Sequence, residues 1–274
     1  MSSVSGLPSE ARIAFLGGGV MGEAIVAGLL TSGAVTASQV VVVEPREERR
    51  SELAAAHGVG VFASADEALP ADVVVLAVKP QVIEAVVTDV AGLLGGSVVV
   101  SIAAGVSTAR LESLLPAGAR VVRVMPNTPA MVGAGMAIVS CGSEATDADV
   151  ALVETLFSAV GKAVVVDERY QDAATAISGS GPAYFALVID AMARAGVAQG
   201  LTRAVAEQLA VQTMLGTAQM IERTGMHPGA LMDGVASPGG TTIAAVNKLE
   251  AGGVRAAFAE AVGAAVARAK ELGG

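Results

Sequence analysis

At 274 residues the chain is long for one compact domain and comfortable for two. Hydrophobic residues make up 53%, chiefly Ala and Val, while only 3% are aromatic and Trp is absent, so the core is built from small side chains and close helix contacts. The net charge of −9 argues against nucleic acid as a partner, since phosphate binding needs a basic surface, although backbone amides and a few arginines can still hold an anion locally.

The opening MSSVSGLPSE has neither the basic nor the apolar stretch of a secretion signal. Residues 12–16 form a short apolar run, followed by Gly17-Gly18-Gly19 and a helical pattern over 20–30. Four consecutive valines mark 39–44 as a buried strand, and 46–56 reads as a charged helix. Residues 72–78 (DVVVLAV) give another buried strand, and 81–94 a helix with Val82, Val86, Val90 and Leu93 at helical spacing. Residues 90–109 carry no charge and are long enough to mimic a membrane span, but Gly95, Gly96, Gly105 and three serines break them into helix end, strand (97–102), loop and the start of a short helix (106–115). Strands follow at 120–125, 133–140 and 163–166, with a helix over 147–160. The single cysteine, Cys141, rules out an intramolecular disulfide and fits a reducing compartment; with no His or carboxylate beside it, it reads as a buried, inert thiol. Beyond Glu168 no valine strand recurs, and helices are expected over 182–195, 202–223, 228–235, 241–251 and 255–272. The alternation implies a mostly parallel sheet with helices on both faces over 1–167, and an all-helical domain over 168–274. The expected protein is soluble and cytoplasmic, with no membrane or nucleic-acid partner.

Gly17-x-Gly19-x-x-Gly22 lies between a strand and a helix, the context of a Rossmann-type dinucleotide site. The first glycine makes the turn, the second admits the pyrophosphate beside Val20 and Met21 at the helix start, and the third lets helix and strand pack closely. The alternative is a purely structural glycine turn. Glu44 ends the second strand, where an acid bonds the ribose hydroxyls of NAD. Arg46 favours the 2′-phosphate of NADP instead, while Arg49 and Arg50 read as a solvated helix face. Ligands of such sheets bind beyond the carboxyl ends of the strands. Those ends are Ala77, Val78, Lys79 and Pro80, then Ala103, Ala104 and Gly105, with Asn127 in the loop after a later strand. The expected cofactor is NADPH, with NADH possible, and no metal is called for.

Three further blocks stand out: MPNTP from Met125, SGSGPAYF from Ser178 and SPGGTT from Ser237. The last two are Gly/Ser/Pro loops opening helices, which present free N–H groups suited to a carboxylate, or else ordinary helix caps. GGGVMGEAI, AVKP, VRVMPNTPA, SGSGPAYF and VASPGGTTIAAVNKLEAGG, in this order over about 12–272, resemble the pyrroline-5-carboxylate reductase family. The resemblance implies reduction of the ring C=N of Δ1-pyrroline-5-carboxylate to L-proline. It implies that Thr242 hydrogen-bonds the imine nitrogen, and that Ser178, Gly179, Ser237, Pro238, Gly239, Gly240 and Thr241 hold the substrate. It also implies a homodimer through the C-terminal helices, often assembled into a decamer. Many members carry a glutamate a few residues before the SPGG block; Thr224-Gly225-Met226-His227 stands there in this chain.

The chemistry agrees with that inventory. Reducing a carbonyl creates an alkoxide and calls for a His, Lys or Tyr acid, whereas a protonated imine is already electrophilic. The chain has two histidines, with His57 read as a surface residue and His227 as a local cap; Tyr184 is ambiguous, and of the four lysines only Lys248 lies near Thr242. A β-hydroxyacid dehydrogenase of the 6-phosphogluconate or hydroxyisobutyrate type is the alternative enzyme, but it uses an interdomain lysine and residues 170–190 contain none. A non-catalytic dinucleotide sensor is the other alternative, and it has no use for a second anion loop.

Overall fold

The computed structural model describes residues 10–272; the first nine residues, read above for a secretion signal, lie outside them. Short apolar runs, several of them rich in valine, form eight strands. They are β1 (Ile13–Leu16), β2 (Val40–Val43), β3 (Gly60–Phe62), β4 (Val73–Leu76), β5 (Val98–Ser101), β6 (Arg120–Met125), β7 (Gly135–Cys141) and β8 (Gly161–Val165). Their order in one sheet is β3-β2-β1-β4-β5-β6-β7-β8, parallel throughout except between β6 and β7. The helices among them are α1 (Val20–Thr31), α2 (Glu47–His57), α3 (Ala65–Ala68), α4 (Pro80–Val90), α5 (Thr108–Glu112) and α6 (Asp147–Ser158). They are followed by α7 (Gln171–Ser178), α8 (Gly181–Ala198), α9 (Arg203–Thr224), α10 (Pro228–Val235), α11 (Thr241–Ala251) and α12 (Val254–Leu272).

Strand side chains alternate between two cores. Ile13, Phe15, Val73 and Val75 pack with Ile25 and Leu29 of α1 and Phe157 of α6, while Ala14, Leu16, Val74 and Leu76 pack with Ile83 and Val87 of α4. Each fully buried Val or Leu contributes about 1.5–3 kcal/mol. Because both faces are covered, the strands read as unbroken apolar runs.

Several elements depart from the sequence reading. β3 and α3 are too short to leave a periodicity; β3 exists because Val61 pairs beside Val42 of β2. β7 turns antiparallel because residues 126–134 hold only a short 3-10 turn, Thr128–Val132, too little for a parallel crossover. α7 is an extra helix, tied to the sheet by fully buried Gln171, whose Nε2 donates to the Ile138 carbonyl (3.3 Å) and Ser140 Oγ (3.0 Å). Cys141 is exposed, not buried: it ends β7, still paired with Val122 of β6 but beyond the last residue paired with β8, Val139.

By packing, the chain divides into one unit reaching to Ser180 and including Ala265–Gly274, and a second of Gly181–Ala264. In the second unit α8 and α9 meet through small residues: Ala193, Ala206 and Ala210 are buried, and a β-carbon on Gly196 would lie 3.1 Å from that of Ala206. Its large apolar side chains are mostly exposed, among them Phe185, Leu187, Leu209 and Leu249.

Gly28 of α1 offers a test of packing against propensity. In a free helix Gly→Ala would stabilise by ~1 kcal/mol. Here the new β-carbon would lie 2.1 Å from Val160 Cγ1, and Val160 is itself buried. Gly28→Ala is therefore expected to destabilise by about 1–3 kcal/mol, and Val160→Ala added to it should recover part of the loss. A urea midpoint that rises in Gly28→Ala would contradict this packing.

Candidate active site

The strand order reverses between β1 and β4, so a crevice opens at their carboxyl ends. There Gly17 takes φ +111°, and a β-carbon on it would lie 2.6 Å from the Ala77 carbonyl oxygen. Gly22 is equally closed, 2.9 Å from the Gly17 carbonyl, which lets α1 start hard against the strand. Gly19 is the opposite case: it is exposed, nothing lies within 4 Å of its β-position, and it caps α1 in extended conformation with no side-chain cap. The first amides of α1, from exposed Val20 and half-buried Met21, are thus open to an anion. Gly18, which the motif leaves free, is also fixed. Its N–H donates to Glu44 Oε2 (3.3 Å), its carbonyl accepts from Arg49 Nε (2.8 Å), and a β-carbon would strike Leu53.

That clamp corrects the reading of the arginines after β2. Arg49 is no solvated residue: it bonds Gly18, Glu52 and Glu23 with its side chain 18% exposed. Arg50 donates to the carbonyls of Glu44 and Pro45, both at 2.8 Å. Nor is His57 a simple surface group, since its largely buried ring lies 3.1 Å from Glu23 Oε1. The Arg49 hydrogen bond, opposed by burial and assisted by His57, holds the Glu23 carboxyl below the usual range. Glu44 is 5% exposed and receives the Arg46 amide (3.1 Å) and Arg46 Nε (2.9 Å). Burial pushes its carboxyl up, but the Arg46 hydrogen bonds and charge and the Gly18 N–H outweigh burial, leaving it below the ordinary value. Arg46 itself is 69% exposed on its side chain.

On the far side of the crevice Ala77 and Val78 are half-buried, and exposed Lys79 caps α4, with Pro80 at its first position. Ala103 is buried, Ala104 is exposed, and Gly105 turns the chain with φ +77°. Asn127 is spent inside the fold: Nδ2 donates to the Ser178 carbonyl (2.9 Å) and Oδ1 accepts the Met136 N–H (2.8 Å). Its side chain tethers the loop after β6 to the end of α7. Ser178 ends α7, and Gly179 sits over Thr175 and Met125. Ala104, Gly105, Arg123, Met125, Thr175 and Ser180 line a cavity of about 220 Å³ with α12 residues. Sequence reading missed Arg123 and its partners Glu168 and Asp172. The available signal was a charged residue inside the valine run of β6.

In the helical unit, Ser237, Pro238, Gly239 and Gly240 form a turn: Gly240 N–H donates to the Ser237 carbonyl (2.9 Å) and Gly239 has φ +69°. Gly240 caps α11 without any side-chain cap, so the amides around exposed Thr241 and half-buried Thr242 face no internal acceptor side chain. His227 is the local cap expected, its Nδ1 accepting the Gly229 N–H (3.1 Å).

A doubly wound sheet with an open glycine loop at its switch point, joined to a helical unit, defines a dinucleotide-dependent oxidoreductase of two domains. The family model for pyrroline-5-carboxylate reductase dimerisation matches residues 168–272, and that for NADP oxidoreductase, coenzyme F420-dependent, matches 12–105. A pyrroline-5-carboxylate reductase of Synechocystis is 46% identical over 96% of this chain and 98% of its own. The solved reductase of Coxiella burnetii superposes with a TM-score of 0.92 at 38% identity, covering 97% of this chain and 99% of that one. The Plasmodium falciparum enzyme, solved with NADP bound, superposes at 0.87 with 29% identity over 97% and 99%. The chain belongs to the pyrroline-5-carboxylate reductase family.

Glu44 and Arg46, expected from the sequence to favour NAD and NADP respectively, are paired with each other. Glu44→Gln is expected to shift the ratio of NADPH to NADH affinity about tenfold toward NADPH, roughly one charge-assisted hydrogen bond. Arg46→Ala should shift it the other way. Fluorescence titration of both cofactors reads the ratio, and a ratio unmoved by either change would remove the pair from cofactor choice.

Proposed function

We propose that this chain reduces the ring C=N of Δ1-pyrroline-5-carboxylate to L-proline, using NAD(P)H. What carries the reading is the full-length correspondence to pyrroline-5-carboxylate reductases, which spans the dinucleotide loop and the helical domain together. The residues present fit the cofactor, because Gly19 leaves open space before an uncapped helix start. Bound NAD(P)H supplies the hydride, two electrons and one hydrogen.

In this reading residues 1–167 hold the cofactor. Gly17, Gly19, Val20, Met21 and Gly22 take the pyrophosphate, Glu44 and Arg46 the adenosine ribose, and Ala77, Val78, Lys79, Pro80, Ala103 and Ala104 the nicotinamide half. Residues 168–274 bind substrate and dimerise. The substrate carboxylate docks on the uncapped amides of residues 237–241, with Ser178 and Gly179 contributing, and Thr242 Oγ1 hydrogen-bonds the ring nitrogen. As the new C–H bond forms, the C=N π pair passes to a nitrogen that is already protonated. No strong acid is needed, which suits a chain with two histidines, one of them spent as a helix cap.

A second copy covers the exposed apolar faces of α8 and α9. The stretch Glu168–Ala198 is long and apolar enough to cross a membrane, and only 17% of its most apolar 18-residue window is buried. Its composition is read as an oligomer face, since the matching family model describes dimerisation. Assembly of dimers into a decamer and a cytoplasmic location complete the proposal.

Adding pyrroline-5-carboxylate while following NADH and NADPH oxidation tests the reaction. Turnover with either cofactor is expected; tight binding of both without turnover would favour a hydroxy-acid substrate or a sensor. Thr242→Ala should lower kcat by about a hundredfold, the scale of one transition-state hydrogen bond, with cofactor affinity unchanged. Leu187, 70% exposed on α8, tests the dimer: Leu187→Glu is expected to yield monomers in sedimentation velocity.

A further inference from the structure

Arg123 is an anomaly of the sheet. It lies mid-strand on β6 between valines, opposite Ser101 of β5 and Ser140 of β7, and is 7% exposed. A guanidinium in such a place requires compensation, and replacing a buried ion pair by apolar residues would commonly cost no stability. Its partner comes from far along the chain. Glu168 Oε1 accepts from Arg123 Nη1 (3.1 Å) and also from the Thr108 N–H (2.8 Å), while Oε2 accepts from Thr108 Oγ1. Asp172 Oδ1 stands 3.9 Å from Arg123 Nη2.

Thr108 is buried and opens α5, directly after the loop from Ala103 to Ser107. That loop carries the positive-φ Gly105, and Ala104 and Gly105 line the same cavity as Arg123 and Asp172. One carboxylate therefore fixes the far end of the loop against the strand beside it. A side chain sixty residues downstream does this, and Glu168 begins the segment leading into α7 and Ser178.

We propose that Glu168, charge-paired with Arg123, is a positioning residue for hydride transfer, holding the loop of Ala103 and Ala104 in register through Thr108. This rests on the assignment of that loop to the nicotinamide half of the cofactor. Glu168 touches neither cofactor nor substrate; it acts through the backbone it holds. Misplacement of about 1 Å at a reacting centre can cost ~100-fold in rate, whereas the pyrophosphate and ribose contacts lie on other loops and keep cofactor affinity intact.

The test uses the full chain with NADPH and its deuterated form, labelled on the transferred hydrogen. Glu168→Ala is expected to lower kcat per cofactor-binding site roughly 10- to 100-fold. The deuterium isotope effect on kcat should rise, with the NADPH dissociation constant within about threefold of the parent. Glu168→Gln keeps an acceptor for the Thr108 N–H and should restore part of the rate. Thr108→Val removes only the hydroxyl bond and should fall between. If Glu168→Ala fails to fold, the Gln and Val variants carry the comparison. An isotope effect and kcat equal to the parent's in the folded variants would overturn the proposal and leave a structural ion pair. Absence of turnover in the unmodified chain would instead overturn the reductase reading itself, and this proposal with it.

Discussion

At the carboxyl ends of β1 and β4 two backbones approach so closely that Gly17 has no room for a β-carbon. Its would-be β-carbon meets the Ala77 carbonyl, and that of Gly22 meets Gly17. The contact sets how near α1 can start to the sheet, and so where the uncapped amides beyond Gly19 point. The next residue extends the constraint. The Gly18 peptide is gripped on one side by Glu44 and on the other by Arg49. The shape of the glycine loop and the electrostatics around Glu44 are thus set by one group of bonds. Glu44 cannot turn without releasing Gly18, whereas Arg46, 69% exposed, is held on its side chain by Glu44.

The same economy recurs on the other side of the sheet. Asn127 ties the loop after β6 to Ser178, and Glu168 ties the loop after β5 to Arg123. Both tethers span long sequence separations. Polar groups buried this way gain little net stability over apolar packing, but they admit one arrangement of the backbone where many apolar packings would be tolerated. That is the requirement of a reaction which needs alignment more than acid or base.

The helical unit follows a different logic. Its α8–α9 contact is made by alanine and glycine, and the larger apolar side chains remain on the surface. Few aromatic residues and an abundance of Ala build thin helices that bury little surface within one chain. Membership of a family whose helical part is described as a dimerisation domain accounts for that exposure.

Local pattern determined much of this protein. Apolar runs set seven of the strands close to their final bounds, and the glycine spacing marked the turn between β1 and α1. His227 and Pro228 open α10, and Gly240 and Gly252 bound α11. These signals are legible because period, turn chemistry and caps act within a few neighbours. Tertiary structure alone decided the rest. β3 is too short to have a pattern and exists by pairing with β2, and β7 runs antiparallel because its connection is short. Cys141 is exposed beyond the end of the β8 pairing, and Arg49 and His57 are drawn inward by Glu23. Glu168 and Arg123 are the clearest case: a partner forty-five residues away leaves no trace in local periodicity, because side-chain pairing across a fold depends on where the backbone has already been placed.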